Sequence, residues 1–475
     1  MSFDSSVFLF LALPIMIILY FVVGKKLRNI YLFIINILLY SFAEPLFILL
    51  LLASMALNYG CALLIKKYKN DKPKVSKTLM IVAICVNLAS LVFFKYIAFL
   101  GTLLNDMLGW FGVVGPEVLK VALPIGISFY TFQAISYIVD TYKEEIVPTK
   151  NFIKFGVYFS FFAQITAGPI VRYKDIEEQL DNRPLSLNDF ASGLQRFLIG
   201  LGQKIIFANY FAKVVNEIFN TPLSGVGGAT AWVGIIFYAL QIYFDFAGYS
   251  SMAIGIAKMF GFKLKENFDH PYVADSIKDF WRRWHISLSS WFRDYVYFPL
   301  GGNRKGKGRM FFGIFLVFLL SGIWHGASLT FLVWGVYHGI FNMIEKIPAI
   351  SNLQKKTPRV IRHIYTMLVV LVGWVFFRSP TISGAFEYLG CMLFLHGWNA
   401  GMPLISPALI VLLVLGIIGS TNLVKFIKEK VEKSENKSLV LTLYTMSWIA
   451  LIAVFVVCIP IILTGSTTPF IYAQF

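Results

Sequence analysis

Residues 310–344 read MFFGIFLVFLLSGIWHGASLTFLVWGVYHGIFNMI, which is 35 residues without Asp, Glu, Lys or Arg. One helix of this length, at about 1.5 Å per residue, would exceed the roughly 30 Å hydrocarbon thickness of a bilayer. The stretch is therefore predicted to be tilted, broken at its glycines or paired on itself. Each of these arrangements indicates a helical protein embedded in a membrane.

The rest of the chain has the same character. Its 475 residues are 57% hydrophobic and 14% charged, whereas soluble proteins average about 25% charged residues. A soluble enzyme, a disordered protein and a disulfide-stapled secreted domain are thereby excluded. At about 20 residues per span, the sequence predicts an all-α polytopic membrane protein with about 11–13 membrane helices. Residues 1–475 are predicted to form a single membrane domain, contacting membrane lipid and ending in a last helix and tail at 439–475.

Basic residues outnumber acidic ones by 42 to 25 and cluster between the apolar runs. This distribution is typical of short cytoplasmic loops, and we therefore expect no nucleic-acid partner. Lys25, Lys26 and Arg28 follow the first apolar run, an order that predicts an outside N-terminus. The mixed-charge segment Lys425–Lys437 is interpreted as cytoplasmic, which places the C-terminus outside after the final helix.

Residues 258–309 are too charged to span a bilayer and are interpreted as a cytoplasmic amphipathic or re-entrant region. If Ser276–Phe298 forms one helix, its aromatic residues and His285 share one face, as in a helix at a membrane surface. A histidine in an apolar stripe has two interpretations, a functional group or a hydrogen-bonded core residue. The sequence leaves both open for His285.

His325 follows Arg309 by 16 residues, or about 24 Å along a helix, which places it toward the middle of the bilayer. An ionisable side chain at that depth usually marks a functional site, and a neutral imidazole can accept a proton. Small neighbours leave room for a ligand, although Gly322 and Gly326 also have the spacing of close helix packing. His338 lies about 220° away on a continuous helix and is interpreted as structural.

The chain lacks the sequence motifs that are typical of several other functions. The chain contains no HExxH, CxxC, GxSxG or Walker sequence, which argues against a metal site, a serine-hydrolase mechanism and ATP-driven export. No internal repeat is evident, and its absence counts mildly against a transporter built from two related halves.

Five segments together resemble the membrane-bound O-acyltransferase family, in particular the bacterial branch that O-acetylates alginate, other exopolysaccharides and peptidoglycan. They are LPIGISFYTFQAISYIVDTYK (123–143), FFAQITAGPIVRYKDI (161–176), YFDFAGYSSMAIGIAKMFGF (243–262), FWRRWHISLSSWFRDYVYFPLGGN (280–303) and LSGIWHGASLTFLVWGVYHG (320–339).

The resemblance implies a helical fold around a tunnel that crosses the bilayer, with a thioester donor entering from the cytoplasm. The catalytic histidine of the family corresponds to His325, and a second family position, His or Asn, corresponds to His285. The chain ends in PFIYAQF (469–475), which is similar to an F-x-Y-x-x-F ending in the same branch. That likeness implies that the Tyr472 hydroxyl accepts the acyl group, although a tyrosine at a membrane interface is also common.

The expected activity is acetyl transfer from cytoplasmic acetyl-CoA, a donor substrate and not a bound cofactor, to an extracellular or cell-wall polysaccharide. His325 would act as the base, and His285 would orient the donor or polarise the thioester. Candidates for binding the CoA phosphates are Arg304, Lys305, Lys307 and Arg309, although a solvated basic loop at the cytoplasmic face also explains these residues. The resemblance further implies a secreted or membrane-anchored SGNH-type transferase as partner, in a bacterial cytoplasmic membrane.

Two alternatives remain at this stage. One is D-alanyl transfer to teichoic acid, which normally depends on a separate small partner, so the tail on this chain argues against it. The other is a polysaccharide or lipid transporter that performs no chemistry.

Overall fold

The structure is a computed structural model that describes residues 3–395, 397–398, 401–403 and 405–471. Across these residues the secondary structure is helical, and no strand occurs among them. The chain divides into two compact units, which are described separately. Unit 1 comprises Met1–Gly193 and Ala253–Lys265, and unit 2 comprises Leu194–Met252 and Glu266–Phe475.

Unit 1 packs long apolar helices around a few buried amides. Asn58 and Asn87, on neighbouring helices, donate to each other's side-chain oxygens at 3.1 and 2.8 Å. Such reciprocal pairing satisfies polar groups that neither lipid nor an apolar core can satisfy. The helices that lie wholly in unit 1 are α1 (Leu13–Val22), α2 (Arg28–Ala43), α3 (Ile48–Tyr68), α4 (Pro73–Gly109), α5 (Ile127–Tyr142), α6 (Phe152–Ser160), α7 (Phe162–Ile165) and α8 (Tyr173–Asp181).

Unit 2 contains a hydrophobic core cluster with many buried aromatic residues, including Trp284, Trp334 and Trp374. The remaining helices are α9 (Leu187–Gly202), α10 (Asn209–Asn220), α11 (Gly228–Met259), α12 (Ile277–Arg283), α13 (Ile286–Phe292), α14 (Lys307–His325), α15 (Leu329–Ile344), α16 (Pro348–Lys356), α17 (Arg359–Arg378), α18 (Ile382–Met392), α19 (Pro407–Ser420), α20 (Leu423–Glu432) and α21 (Lys437–Leu463). Helices α9 and α11 contribute residues to both units.

The all-helical membrane fold predicted from the sequence is confirmed. Among the described residues, eight helices are long and apolar enough to cross a membrane, or nine if the bent pair α19 and α20 is one span. Three further apolar helices are shorter: Phe8–Val22, Phe152–Ile165 and Leu329–Ile344. The predicted number of spans, 11–13, is larger than the number of described helices of spanning length. The reason is that a count by hydropathy includes the short apolar helices as well as the long ones.

The uncharged stretch 310–344 is broken and paired, one of the arrangements that its length predicts. Helix α14 ends at His325, Gly326 is extended with φ −168°, and α15 packs back against α14. The angle predicted between His325 and His338 assumed one continuous helix and is therefore wrong.

The single helix predicted over Ser276–Phe298 is also wrong. The segment is two short helices, α12 and α13, followed by a π-helical turn at Arg293–Tyr297. Between the two helices Trp284 is extended and His285 is left-handed, with φ +45°. Backbone hydrogen bonds at 2.9 to 3.0 Å from Asp269 to Arg283 and from Ile286 to Asn267 satisfy groups that the break releases from the helix.

Candidate active site

The hairpin of α14 and α15 places His325 in the core of unit 2. His325 is 4% exposed, and its ring stands edge-on to three aromatic rings: those of Trp324, Trp334 and Phe377, at centroid distances of 4.9, 5.0 and 5.3 Å. The rotation of the imidazole is therefore restricted, as a catalytic group requires.

Two glycines set the separation of the hairpin helices. A Cβ on Gly335 would lie 2.4 Å from the carbonyl oxygen of Phe318 and 3.1 Å from the Cα of Gly322, both of them backbone atoms. The helices therefore touch through their backbones, which only glycine at these positions permits. Gly322 is thus a packing residue of α14, the helix that ends at His325.

His285 occupies the break between α12 and α13 and is 2% exposed. Its Nδ1 lies 3.1 Å from Oδ1 of Asn267, an amide that is itself completely buried. The same Oδ1 accepts hydrogen bonds from the backbone N–H of Ser287 at 3.2 Å and from its hydroxyl at 2.9 Å. The Nδ2 of Asn267 donates to the Ser250 hydroxyl at 3.1 Å.

This network assigns the tautomer of His285. A backbone N–H can only donate, so the atom of Asn267 that faces Ser287 must be the oxygen. Nδ1 of His285, which faces that same oxygen, therefore carries the proton. The neutral ring then has its lone pair on Nε2, where it accepts a hydrogen bond or a proton.

Burial keeps the His285 ring uncharged. Removal from water disfavours the imidazolium and lowers the pKa of His285 to about 3. At neutral pH the side chain is consequently a neutral acceptor held by Asn267.

The structure brings the two predicted histidines together. Both rings contact the indole of Trp324, with centroid distances of 6.1 Å for His285 and 4.9 Å for His325. Both also line one cavity of about 830 Å³ within unit 2. A cavity of this size accommodates a small-molecule substrate.

Basic side chains also line this cavity. Arg283 pairs with Asp279 at 2.8 Å, and Arg293 pairs with Asp294 at 2.7 Å. Lys278, Lys346 and Arg359 line it too and form no ion pair with any described residue. Burial, followed by the neighbouring positive charge of Lys278, lowers the pKa of Lys346. A bound anion would relieve this repulsion, so the cavity is suited to a negatively charged ligand.

The four basic candidates from the sequence do not line the cavity. Its described lining does not include Arg304, Lys305, Lys307 or Arg309, which belong to the 3₁₀ turn Gly302–Lys305 and the first turn of α14. Tyr472 lies outside the described residues. His338 is buried in the hairpin against Trp281, at a centroid distance of 5.0 Å, and does not line the cavity.

Sequence reasoning missed Asn267 and the three basic residues without ion pairs. A lone Asn in the stretch 263–268, KLKENF, carries no recognisable signal. Lys278, Lys346 and Arg359 are separated by up to 81 positions in sequence, and only the fold gathers them. Lys346 and Arg359 lie near the ends of apolar runs, whereas Lys278 has no such signal.

The structure thus combines helices long enough to cross a membrane with two buried histidines that line one cavity. The sequence pattern of the membrane-bound O-acyltransferase family, MBOAT, matches residues 140–382, a little over half of the chain. The chain belongs to this family and is a multi-pass membrane O-acyltransferase.

Relatives named O-acetylase or O-acetyltransferase match most of the chain, and a D-alanyltransferase matches less than half of it. It is 39% identical over 402 residues to a probable alginate O-acetylase of Pseudomonas putida, covering 84% of this chain and 81% of the relative. It is 34% identical over 432 residues to the peptidoglycan O-acetyltransferase of Helicobacter pylori, covering 83% and 80%. A teichoic acid D-alanyltransferase of Bacillus subtilis is 33% identical over 222 residues, covering 43% and 54%.

Proposed function

We propose that this protein moves an acetyl group from cytoplasmic acetyl-CoA across the bacterial cytoplasmic membrane, for O-acetylation of an extracellular or cell-wall polysaccharide. One observation carries the proposal: His285 and His325 line the same cavity as three basic side chains that form no ion pair within the described part of the chain. The names of relatives that match over four-fifths of the chain support acetyl as the transferred group.

In the proposed reaction the oxygen of an acceptor hydroxyl attacks the thioester carbonyl carbon. A C–O bond forms, the C–S bond breaks, and the electron pair leaves with the sulfur of CoA. His325 takes the hydroxyl proton and returns it to the departing thiolate, so that the enzyme is regenerated. The aromatic rings around His325 hold its imidazole toward the reacting atoms.

The tautomer of His285 favours one of its two predicted roles. Polarising a carbonyl requires an N–H, whereas Nε2 of the Nδ1–H tautomer only accepts. Since the ring also remains neutral, we assign it to orienting the donor, by accepting a hydrogen bond from an amide N–H of the pantetheine arm. Lys278, Lys346 and Arg359 would bind the CoA phosphates by charge attraction.

The proposed orientation of the protein in the membrane follows from the distribution of its basic residues. The basic loops face the cytoplasm, both termini face outside, and the acetyl group leaves on the outer side. The acceptor is Tyr472 or the serine of a separate SGNH-type transferase, which then acetylates the polysaccharide. Teichoic acid D-alanylation is a weaker candidate, because its relative matches 43% of this chain.

The test uses purified protein in lipid nanodiscs with acetyl-CoA labelled in the acetyl group. We expect labelled protein or labelled acceptor from the wild type and a loss of at least 10²-fold in His325→Gln, the scale of a general base. His338→Gln, a buried histidine of the same hairpin outside the cavity, is the matched control and should retain transfer. Equal transfer by wild type and His325→Gln, with both proteins monodisperse, would refute the assignment of the base.

A further inference from the structure

Unit 2 contains a buried ion pair that the proposed reaction does not use. Lys204 and Asp245 pair through their side chains, and each side chain is 2% exposed. Neither residue lines the histidine cavity. Burying two charges costs free energy that their attraction only partly offsets, so such pairs persist mainly where further hydrogen bonds complete them.

The further hydrogen bonds come from the last described residues of the chain. Lys204 Nζ donates to the carbonyl oxygen of Thr468 at 2.8 Å, and the backbone N–H of Ile471 donates to Asp245 Oδ2 at 2.8 Å. Asn209 Oδ1 accepts from the backbone N–H of Thr468 at 3.1 Å and from its hydroxyl at 2.6 Å. Three polar side chains therefore bind the main chain of one short segment.

An aromatic contact adds to this main-chain recognition. Phe470 is 8% exposed and stacks on Tyr249, with a centroid distance of 4.6 Å and an interplanar angle of 25°. It also lies 5.7 Å from the ring of Phe246, which in turn stands edge-on to His285 at 4.6 Å. The segment is thus separated from the candidate active site by one phenylalanine ring.

We propose that Lys204, Asp245 and Asn209 form a peptide-binding site for the segment Thr468–Ile471 of this chain, which holds this segment beside the histidine pair for acyl transfer. The ligand is an extended peptide with an aromatic side chain that fits beside Tyr249. The positioning role rests on the proposed function, whereas the docking itself does not.

Docking is measured by hydrogen–deuterium exchange of the full chain in nanodiscs, following the peptide that contains Thr468 and Ile471. We expect slow exchange of these amides in the wild type. Thr468→Val removes the hydroxyl bond to Asn209, and Asn209→Leu removes the acceptor. Each variant should exchange about tenfold faster, the factor expected for one net hydrogen bond. Thr467→Val is the same substitution at the neighbouring position and should leave exchange unchanged.

Unprotected amides in the wild type, or equal acceleration by Thr467→Val and Thr468→Val, would overturn the docking site. Positioning is tested on the same proteins with labelled acetyl-CoA. Release of the segment should lower transfer to the acceptor at least tenfold without weakening acetyl-CoA binding. Release with undiminished transfer would overturn the positioning role. If no protein transfers acetyl at all, the proposed function fails, and the exchange data still decide the docking.

Discussion

At the scale of single residues, the backbone of His285 has the left-handed conformation, with φ +45°. A Cβ is unfavourable there, so His285→Gly should be more stable than His285→Ala by about 1 kcal/mol. At Ser290, inside α13, the order should reverse, because alanine favours a helix over glycine by about 1 kcal/mol. Thermal unfolding of the four variants in one detergent measures both differences. The same order at both positions would argue against the helix break.

Burial keeps His285 uncharged, and Asn267 determines its tautomer. In the wild type, ¹⁵N NMR of labelled histidine should show a neutral Nδ1–H ring for His285 between pH 8 and pH 5, because burial lowers its pKa to about 3. Asn267→Asp places a carboxylate against Nδ1 and should raise this pKa toward the ordinary value of about 6.5 or above. The signal is assigned by its loss in His285→Gln. A wild-type ring that titrates near pH 6.5 would contradict the prediction.

The depressed pKa of His285 also has a consequence for stability. The unfolded chain takes up this proton near pH 6.5, whereas the folded protein does so only near pH 3. Between these values the unfolded state binds more protons, so the contribution of His285 to stability is full above pH 6.5 and declines as the pH falls.

At the scale of elements, the hairpin of α14 and α15 depends on Gly335. Gly335→Ala would press a methyl group against backbone atoms of α14 and should lower the unfolding temperature, because overpacking costs about 1–3 kcal/mol. It should also lower acyl transfer, since His325 ends α14. Gly308→Ala, in the first turn of α14, meets no atom within 4 Å and should be neutral or stabilising. Equal unfolding temperatures for the two variants would contradict the glycine contact.

The two helix breaks, at Gly326 and at His285, differ in how far the sequence reveals them. The break at Gly326 is visible because 35 uncharged residues are too long for one span and contain glycines. The break at His285 is not visible, since neither Trp284 nor His285 is a helix-breaking residue. Tertiary contacts impose it: Trp284 packs on Trp374 at a centroid distance of 4.9 Å, and Asn267 binds the released backbone. Local patterns cannot report such contacts.

At the scale of the whole molecule, composition is enough to predict a helical membrane protein, because 14% charged residues cannot cover a water-exposed surface. The two histidines are predictable from the sequence because they are ionisable groups in apolar surroundings. The sequence does not predict the hydrogen-bond partner of His285 or the basic residues of the cavity. Their proximity to the histidines depends on how distant segments pack. With 42 basic residues in the chain, charge alone cannot identify which of them face a substrate.

Substitutions can show whether the basic residues of the cavity or those of the loop 304–309 bind the phosphates of CoA. Lys346 lines the cavity, whereas Lys305, the candidate from the sequence, does not. If the cavity binds CoA, Lys346→Gln should raise the KM for acetyl-CoA about threefold to tenfold, a loss of roughly 1 kcal/mol from one partly exposed charge pair. The KM for acetyl-pantetheine, which lacks the nucleotide phosphates, should not change. Lys305→Gln should affect neither substrate. A rise in KM for acetyl-CoA in Lys305→Gln but not in Lys346→Gln would instead place the phosphates at the basic loop, because the charge that matters is the one within reach of the ligand.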